Sequence, residues 1–104
     1  EVLRSGCFSQ CISLKEVHFT NNLTTIESGS FYQCRSLKEV IIPDLVTMIG
    51  DDAFMECRNL RNVSWPTNLE YVGAGAFRDC ESLEVPEFDV DVLVGKAAFK
   101  GCKQ

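Results

Sequence analysis

Six cysteines, one histidine and fifteen carboxylates are the residues of this chain with the reactivity to do chemistry. Five of the cysteines, Cys11, Cys34, Cys57, Cys80 and Cys102, each stand three positions after a phenylalanine: Phe8, Phe31, Phe54, Phe77 and Phe99. The steps along this series are 23, 23, 23 and 22 residues. A thiol that recurs at one repeated position reads as a small apolar core filler in reduced form rather than as part of a disulfide framework. Adjacent rungs at about 5 Å would bring Cys34 and Cys57 within the Cα range of a disulfide, but parallel side chains on stacked turns need not offer its torsion. Cys7 shares a column with Ala53 and Ala76, so it is assigned to the core as well. Being near the open end, it is also the thiol expected to react first.

Metal and catalytic chemistry find little support. Zinc needs paired ligands, and the one close pair is Cys7-x-x-x-Cys11 with the single His18. His18 lies between Val17 and Phe19, on the outward side of an alternating stretch, where a solvated polar residue belongs. There is no Gly-x-Ser-x-Gly turn, and Gly73-Ala-Gly75 lacks the third glycine of a phosphate loop. Asp51, Asp52, Asp79 and Glu81 flank the Phe/Cys segment without the alternating acidic loop that calcium requires, so they are read as caps or solvated carboxylates. Asp89, Val90, Asp91 and Val92 alternate in polarity and are read as a strand with an acidic outer face. Asn22-Leu-Thr24 and Asn62-Val-Ser64 fit the glycosylation sequon, which matters only in an exported eukaryotic chain. No catalytic residue, metal or cofactor is expected.

The elements that must position these residues follow from the same period. Leu14, Leu37, Leu60 and Leu83 form one column; Val17, Val40 and Val63 another; Phe19, Ile42, Trp65 and Phe88 a third. Leu23, Val46 and Leu69, and Ile26, Ile49 and Val72, continue the pattern. A fixed period near 23 residues marks a repeat solenoid of about four repeats, each burying its apolar face against its neighbours. Repeats fall near 1–13, 14–36, 37–59, 60–82 and 83–104, the first and last partial or irregular. Residues 37–42 and their counterparts are short parallel strands ended by Pro43 or Pro66. A second extended piece covers 45–49 and 69–72, closed by Gly50 or Gly73, where a turn can use positive φ. The link from there to Phe54 and Cys57 is assigned one helical turn, with Asp51 or Asp52 as its cap. In the last unit Pro86 replaces the column valine and one residue is missing between Phe88 and Val94, which leaves its register open. The chain reads as one solenoid domain over 1–104, a fragment of a longer array, whose exposed end rungs would favour end-to-end association.

The string Ile42-Pro43-x-x-Val46-Thr47-x-Ile49-Gly50-x-x-Ala53-Phe54-x-x-Cys57-x-x-Leu60 resembles the BspA-like leucine-rich repeat family. Its core portion recurs as Val72-Gly73-x-x-Ala76-Phe77-x-x-Cys80 and Val94-Gly95-x-x-Ala98-Phe99-x-x-Cys102, while the first complete unit departs with Glu27 and Ser30. The resemblance implies a curved solenoid in surface or secreted proteins of bacteria and some protozoa, used for adhesion to host matrix or cell-surface proteins.

Composition narrows the partners independently. A net charge of −5 disfavours nucleic acid and anionic lipid, and aliphatic runs such as Val40-Ile41-Ile42 are too short to insert in a membrane. The remaining surface is the outward row of the first strands: Glu16, His18 and Thr20; Glu39 and Ile41; Asn62 and Ser64. These residues are the candidate partner-binding set on the concave strand face of a non-enzymatic protein-binding or adhesion module. The alternative is a spacer that holds other domains away from a cell surface.

Overall fold

The computed structural model describes residues 2–103. Eight short strands follow in order: β1 (Val2–Leu3), β2 (Glu16–Val17), β3 (Thr25–Ile26), β4 (Glu39–Ile41), β5 (Met48–Ile49), β6 (Asn62–Ser64), β7 (Tyr71–Val72) and β8 (Leu93–Val94). They assemble into two parallel sheets, one of order β1-β3-β5-β7-β8 and one of order β2-β4-β6. Each coil adds one strand to each sheet until the last, so the chain is a β-solenoid. The register follows the sequence period: Ile26 pairs with Ile49, Ile49 with Val72, and Val40 with Val63. In the last unit Tyr71 pairs with Leu93 and Val72 with Val94. The missing residue therefore falls just before Leu93, in the column of Thr24, Thr47 and Glu70.

The interior is one continuous apolar cluster built from the repeated columns. At its centre the five phenylalanine rings lie nearly parallel, with centroids 5.3, 5.1, 5.0 and 5.3 Å apart from Phe8 to Phe99. Those separations suit offset stacking and nearly match the ~4.8 Å spacing of neighbouring strands, so ring and backbone keep the same step. Trp65 closes one side, meeting Phe77 and Phe88 edge-on at 5.1 Å each.

The segment before each cysteine is not the helical turn expected from the sequence; among the described residues there is no helix. Two residues per coil instead have positive φ: Gly6, Gly29, Asp52, Gly75 and Ala97 in one column, Gln10, Gln33, Glu56, Asp79 and Gly101 in the other. Each sits third in a turn closed by an N–H to C=O bond, as between Cys7 and Arg4 and between Cys11 and Phe8, which is where a type II turn requires positive φ. Successive turns aim their N–H groups at the next coil: Phe8, Phe31, Phe54 and Phe77 donate to the carbonyls of Ser30, Ala53, Ala76 and Ala98 at 2.7 Å each. A third backbone ladder thus replaces the helix, and Asp51 and Asp52 cap nothing. Asp51 accepts from the N–H of Ala74 in the next coil at 2.9 Å.

Gly50 and Gly73 also differ from expectation, since neither has positive φ. They are small because neighbouring coils touch there: a Cβ on Gly50 would lie 2.6 Å from the Ser28 nitrogen, and one on Gly73 2.5 Å from the Asp51 nitrogen. The two departures in the first complete unit have partners. Ser30, buried in an alanine column, donates its hydroxyl to the carbonyls of Glu27 and Arg4, and the Glu27 carboxylate accepts from the Ser5 N–H. Asp89–Val92 is a turn rather than a strand; Val92 N–H donates to Asp89 C=O and Val90 is 97% exposed.

The repeated cysteines form a thiol ladder. Cys34, Cys57, Cys80 and Cys102 are buried, and each donates its S–H to the carbonyl of the phenylalanine one coil back, at 3.1, 3.1, 3.0 and 3.0 Å. Cys7, expected in the core, is exposed instead, its coil being the outermost of the described residues. Burial pushes Cys34 up to about 12 and Cys102 up to about 11. Cys80 is raised as well, first by its contact with the Cys57 thiol and then by burial.

Two outcomes follow from this core. Phe54→Ala should cost about 3–5 kcal/mol, because a fully buried ring is lost from between two others. Phe8→Ala should cost clearly less, since that ring is 36% exposed and stacks on Phe31 alone. Urea melts of the two variants measure the difference, and equal losses would contradict the stacked arrangement. For the thiols, labelling at pH 8 should modify Cys7 rapidly and Cys34, Cys57 and Cys80 only as fast as the chain opens. Below pH about 9 both folded and unfolded chains hold their thiol protons, so Cys34 adds no pH slope; from there to about 12 only the unfolded chain releases its proton. Stability should therefore fall with rising pH in that window, by about 1.4 kcal/mol per pH unit for each such thiol. Melts at pH 8 to 11 of the native chain and of Cys34→Ala with Cys102→Ala test this, the variant showing the shallower slope.

Candidate protein-binding surface

The three-stranded sheet orders the residues singled out by sequence. Parallel pairing sets Glu16 opposite Glu39 and Glu39 opposite Asn62, and Ile41 opposite Ser64. Since side chains alternate along a strand, Val17, Val40 and Val63 turn towards the core and their neighbours turn out. Glu16, His18, Thr20, Glu39, Ile41, Asn62 and Ser64 are all exposed. His18 and Thr20 lie beyond the end of β2, with His18 in the column of Ile41 and Ser64 and Thr20 in that of Pro43 and Pro66. His18 Nε2 stands 3.4 Å from a Glu16 carboxylate oxygen, with both side chains largely in solvent. Such a pair contributes little to stability and leaves both groups open to a partner.

The array has two parts of different chemistry. The Glu16, Glu39 and Asn62 column supplies two carboxylates and an amide. Beside it runs His18, Ile41 and Ser64, in which Ile41 is 67% exposed on the middle strand. The surface presents carboxylate, amide and branched apolar groups in fixed register. Among the described residues, no three of His, Cys, Asp or Glu are grouped to hold a metal ion.

A second outward face was not singled out in the sequence. In the five-stranded sheet Val2, Thr25, Met48, Tyr71 and Leu93 form the outer column in continuous register. Val2, Met48 and Leu93 are exposed, Leu93 at 68%, while Tyr71 is half-buried. The sequence does hold a trace of it, since each of these residues directly precedes the buried Leu3–Ile26–Ile49–Val72–Val94 column. The trace is obscured because Thr25 is polar and because the last step is one residue short.

The opposite flank, along the turns, is a polar ladder. Gln10 Nε2 donates to Gln33 Oε1 at 2.8 Å and Gln33 Nε2 to Glu56 Oε1 at 3.2 Å. Arg58 lies 3.6 Å from Glu56 and 3.9 Å from Glu81. Here side chains satisfy one another between coils, whereas those of the three-stranded face are for the most part left to solvent.

Comparison with known proteins agrees with the geometry. The chain superposes on a leucine-rich repeat protein from Eubacterium ventriosum ATCC 27560 with a TM-score of 0.84 at 24% identity, covering 94% of this chain and 27% of that one. It superposes on a leucine-rich repeat protein from Bacteroides ovatus ATCC 8483 with a TM-score of 0.78 at 26% identity, covering 94% of this chain and 32% of that one. The chain thus spans about a third or less of each of these proteins. Among curated proteins none matches it. The family model described as "BspA type Leucine rich repeat region (6 copies)" matches residues 1–104, and with the 23-residue coils, the phenylalanine stack and the thiol ladder this means that the chain belongs to the BspA-type leucine-rich repeat family.

Proposed function

We propose that this chain is a non-enzymatic protein-binding module, one stretch of a longer solenoid array, that docks an adhesion partner on the outward face of its three-stranded sheet. Leucine-rich repeats are generally scaffolds for protein interaction, and this family is often found in surface or secreted proteins. The observation that carries the reading to this face is Ile41. A branched side chain left 67% in solvent at the centre of a regular sheet, flanked by Glu39 and faced by Ser64, has the make-up of an interface centre rather than of a solvated surface. The carboxylates of Glu16 and Glu39 lie side by side on adjacent strands, so a partner with basic residues at matching spacing would relieve their mutual repulsion. A host matrix or cell-surface protein fits that description. The competing reading is a spacer, favoured by the self-satisfied polar ladder on the turn flank, which would keep an extended array stiff without a partner.

The test is binding of the folded chain to a panel of immobilised matrix proteins, repeated with two sets of surface changes. Glu16→Lys with Glu39→Lys keeps the like-charge pair and so should leave the melting transition nearly unchanged, and Ile41→Asp removes the apolar centre. Together they should weaken a partner of this face at least tenfold, most clearly at low salt. Met48→Asp with Leu93→Asp changes the other outward face and should leave that affinity intact. Loss of binding with the second set alone would move the site to the five-stranded sheet, and no binding to any protein of the panel would favour the spacer.

A further inference from the structure

The cysteine column sets thiols in a regular row inside the core. Cys57 and Cys80 are both fully buried. Each sulfur holds the same place relative to the coil behind it, Cys57 Sγ 3.1 Å from the Phe31 oxygen and Cys80 Sγ 3.0 Å from the Phe54 oxygen. Two sulfurs so related are displaced by one coil step, which is 5.0 Å between the rings of Phe54 and Phe77 and ~4.8 Å between parallel strands. The Cys80 thiol accordingly adjoins that of Cys57. Neither thiol proton is the sole donor to its acceptor: the Phe31 carbonyl also receives the Cys34 N–H, and the Phe54 carbonyl the Cys57 N–H, at 3.2 Å each. Both protons can therefore leave without orphaning a buried carbonyl.

Spacing and ligand number decide which ion such a pair can hold. Among the described residues no three of His, Cys, Asp or Glu are grouped, so the ligand set of a tetrahedral zinc site is not gathered. An ion that binds its ligands in line needs only a pair. With a metal–thiolate bond of about 2.3 Å, a straight sulfur–metal–sulfur unit is about 4.6 Å long, close to one coil step. The ion then lies on the line between the sulfurs, and the coils need not separate to admit it. Thiolates select soft ions, and the closed-shell ions Cu(I), Ag(I) and Hg(II) are those that accept two sulfurs in line. The surroundings fix the charge, because the pair belongs to the apolar cluster, where a net charge is costly. Access needs only a local opening: Cys57 stands between half-buried Glu56 and exposed Arg58, and Cys80 between half-buried Asp79 and exposed Glu81.

We propose that Cys57 and Cys80 form a two-coordinate site for a soft closed-shell metal ion, held in line between the sulfurs of neighbouring coils. With Hg(II), two S–H bonds break, two S–Hg bonds form and two protons pass to water, leaving a neutral unit. With Ag(I) or Cu(I), one thiol loses its proton and the other binds through a sulfur lone pair with its proton kept, so the unit is again neutral. No oxidation state changes in either case. The site goes beyond the protein-binding reading and does not depend on it. Cys34 and Cys102 continue the column on either side, so a test must isolate the central pair.

Two variants, each also carrying Cys7→Ser and Cys11→Ala, separate spacing from the general affinity of thiols for metal. Cys34→Ala with Cys102→Ala leaves the neighbours Cys57 and Cys80. Cys57→Ala with Cys102→Ala leaves Cys34 and Cys80, two coils or about 10 Å apart, too far for one ion to span. Titrated with mercuric acetate or silver nitrate in chloride-free buffer, the first variant should bind one ion about a hundredfold more tightly than the second. Melting distinguishes them by sign. The ion should raise the Tm of the first variant, which binds it when folded; in the second only the unfolded chain can bring both thiols to one ion, so Tm should fall. Proton release in weakly buffered solution should be two per Hg(II) and one per Ag(I). Should either variant fail to fold, the native chain with its exposed thiols alkylated is given one equivalent of Hg(II), and X-ray absorption at the mercury edge should show two sulfur neighbours. Equal affinity in the two variants, a Tm lowered in the first, two protons released per Ag(I), or any other ligand set around mercury would overturn the site.

Discussion

Each coil of this solenoid rests on the one before it through a phenylalanine ring laid flat on another, and the 5.0–5.3 Å between ring centroids sets what the rest of the chain can do. A stack of rings tolerates little variation in step, and parallel strands fix nearly the same step for the backbone. The two requirements agree only if every circuit returns the chain to the same place above itself. That explains why the core columns hold their spacing across four coils while surface positions vary freely. The thiols fit the same constraint: a cysteine is small enough to sit beside the stack, and its S–H reaches the phenylalanine carbonyl one coil back. A larger apolar side chain in that column would push neighbouring rings apart.

Because the columns are determined by packing, they were legible in the sequence, and so were the order of the coils, the parallel strands and the outward set from Glu16 to Ser64. The turns were not. Positive φ in a sequence is signalled by glycine, yet one of the two left-handed columns is Gln10, Gln33, Glu56 and Asp79 before glycine appears at 101, and Asp52 and Ala97 interrupt the other. At these sites the inter-coil N–H ladder imposes a conformation that the residue type alone would not choose. The glycines that did stand out, Gly50 and Gly73, are there for lack of room rather than for backbone freedom. A segment with alternating polarity, Asp89 to Val92, also misled, since in so short a stretch a turn with one exposed valine gives the same pattern as a strand.

Regularity also accounts for where the surface becomes interesting. On the turn flank Gln10, Gln33 and Glu56 satisfy each other along the axis, which leaves little for a partner. On the three-stranded sheet the same stacking aligns groups that cannot satisfy each other, two carboxylates and an isoleucine, and so leaves chemistry to spare. The single irregular coil then breaks one ladder out of three, because Pro86 affects only the sheet it would have joined. A solenoid can therefore open locally without losing its fold, as the neighbouring ladders carry the contact from coil to coil.

The turn ladder has one more property, which concerns direction. The N–H groups of Phe8, Phe31, Phe54 and Phe77 all point towards the following coil, and so do those of Gly6, Gly29, Asp52 and Gly75, while the accepting carbonyls all point back. Peptide dipoles aligned in this way add along the turn flank, while bonds of the opposite sense, such as those from the N–H groups of Glu27, Thr47 and Gly50 to the carbonyls of Leu3, Thr24 and Ile26, run back elsewhere in the stack, so the polarity belongs to this flank alone. Along this flank coils can meet donor end to acceptor end, in the same sense as the chain itself, but two like ends brought together by a two-fold axis would oppose donor to donor or acceptor to acceptor. Continuing the ladder on this flank by one more coil therefore requires the same sense as the chain itself.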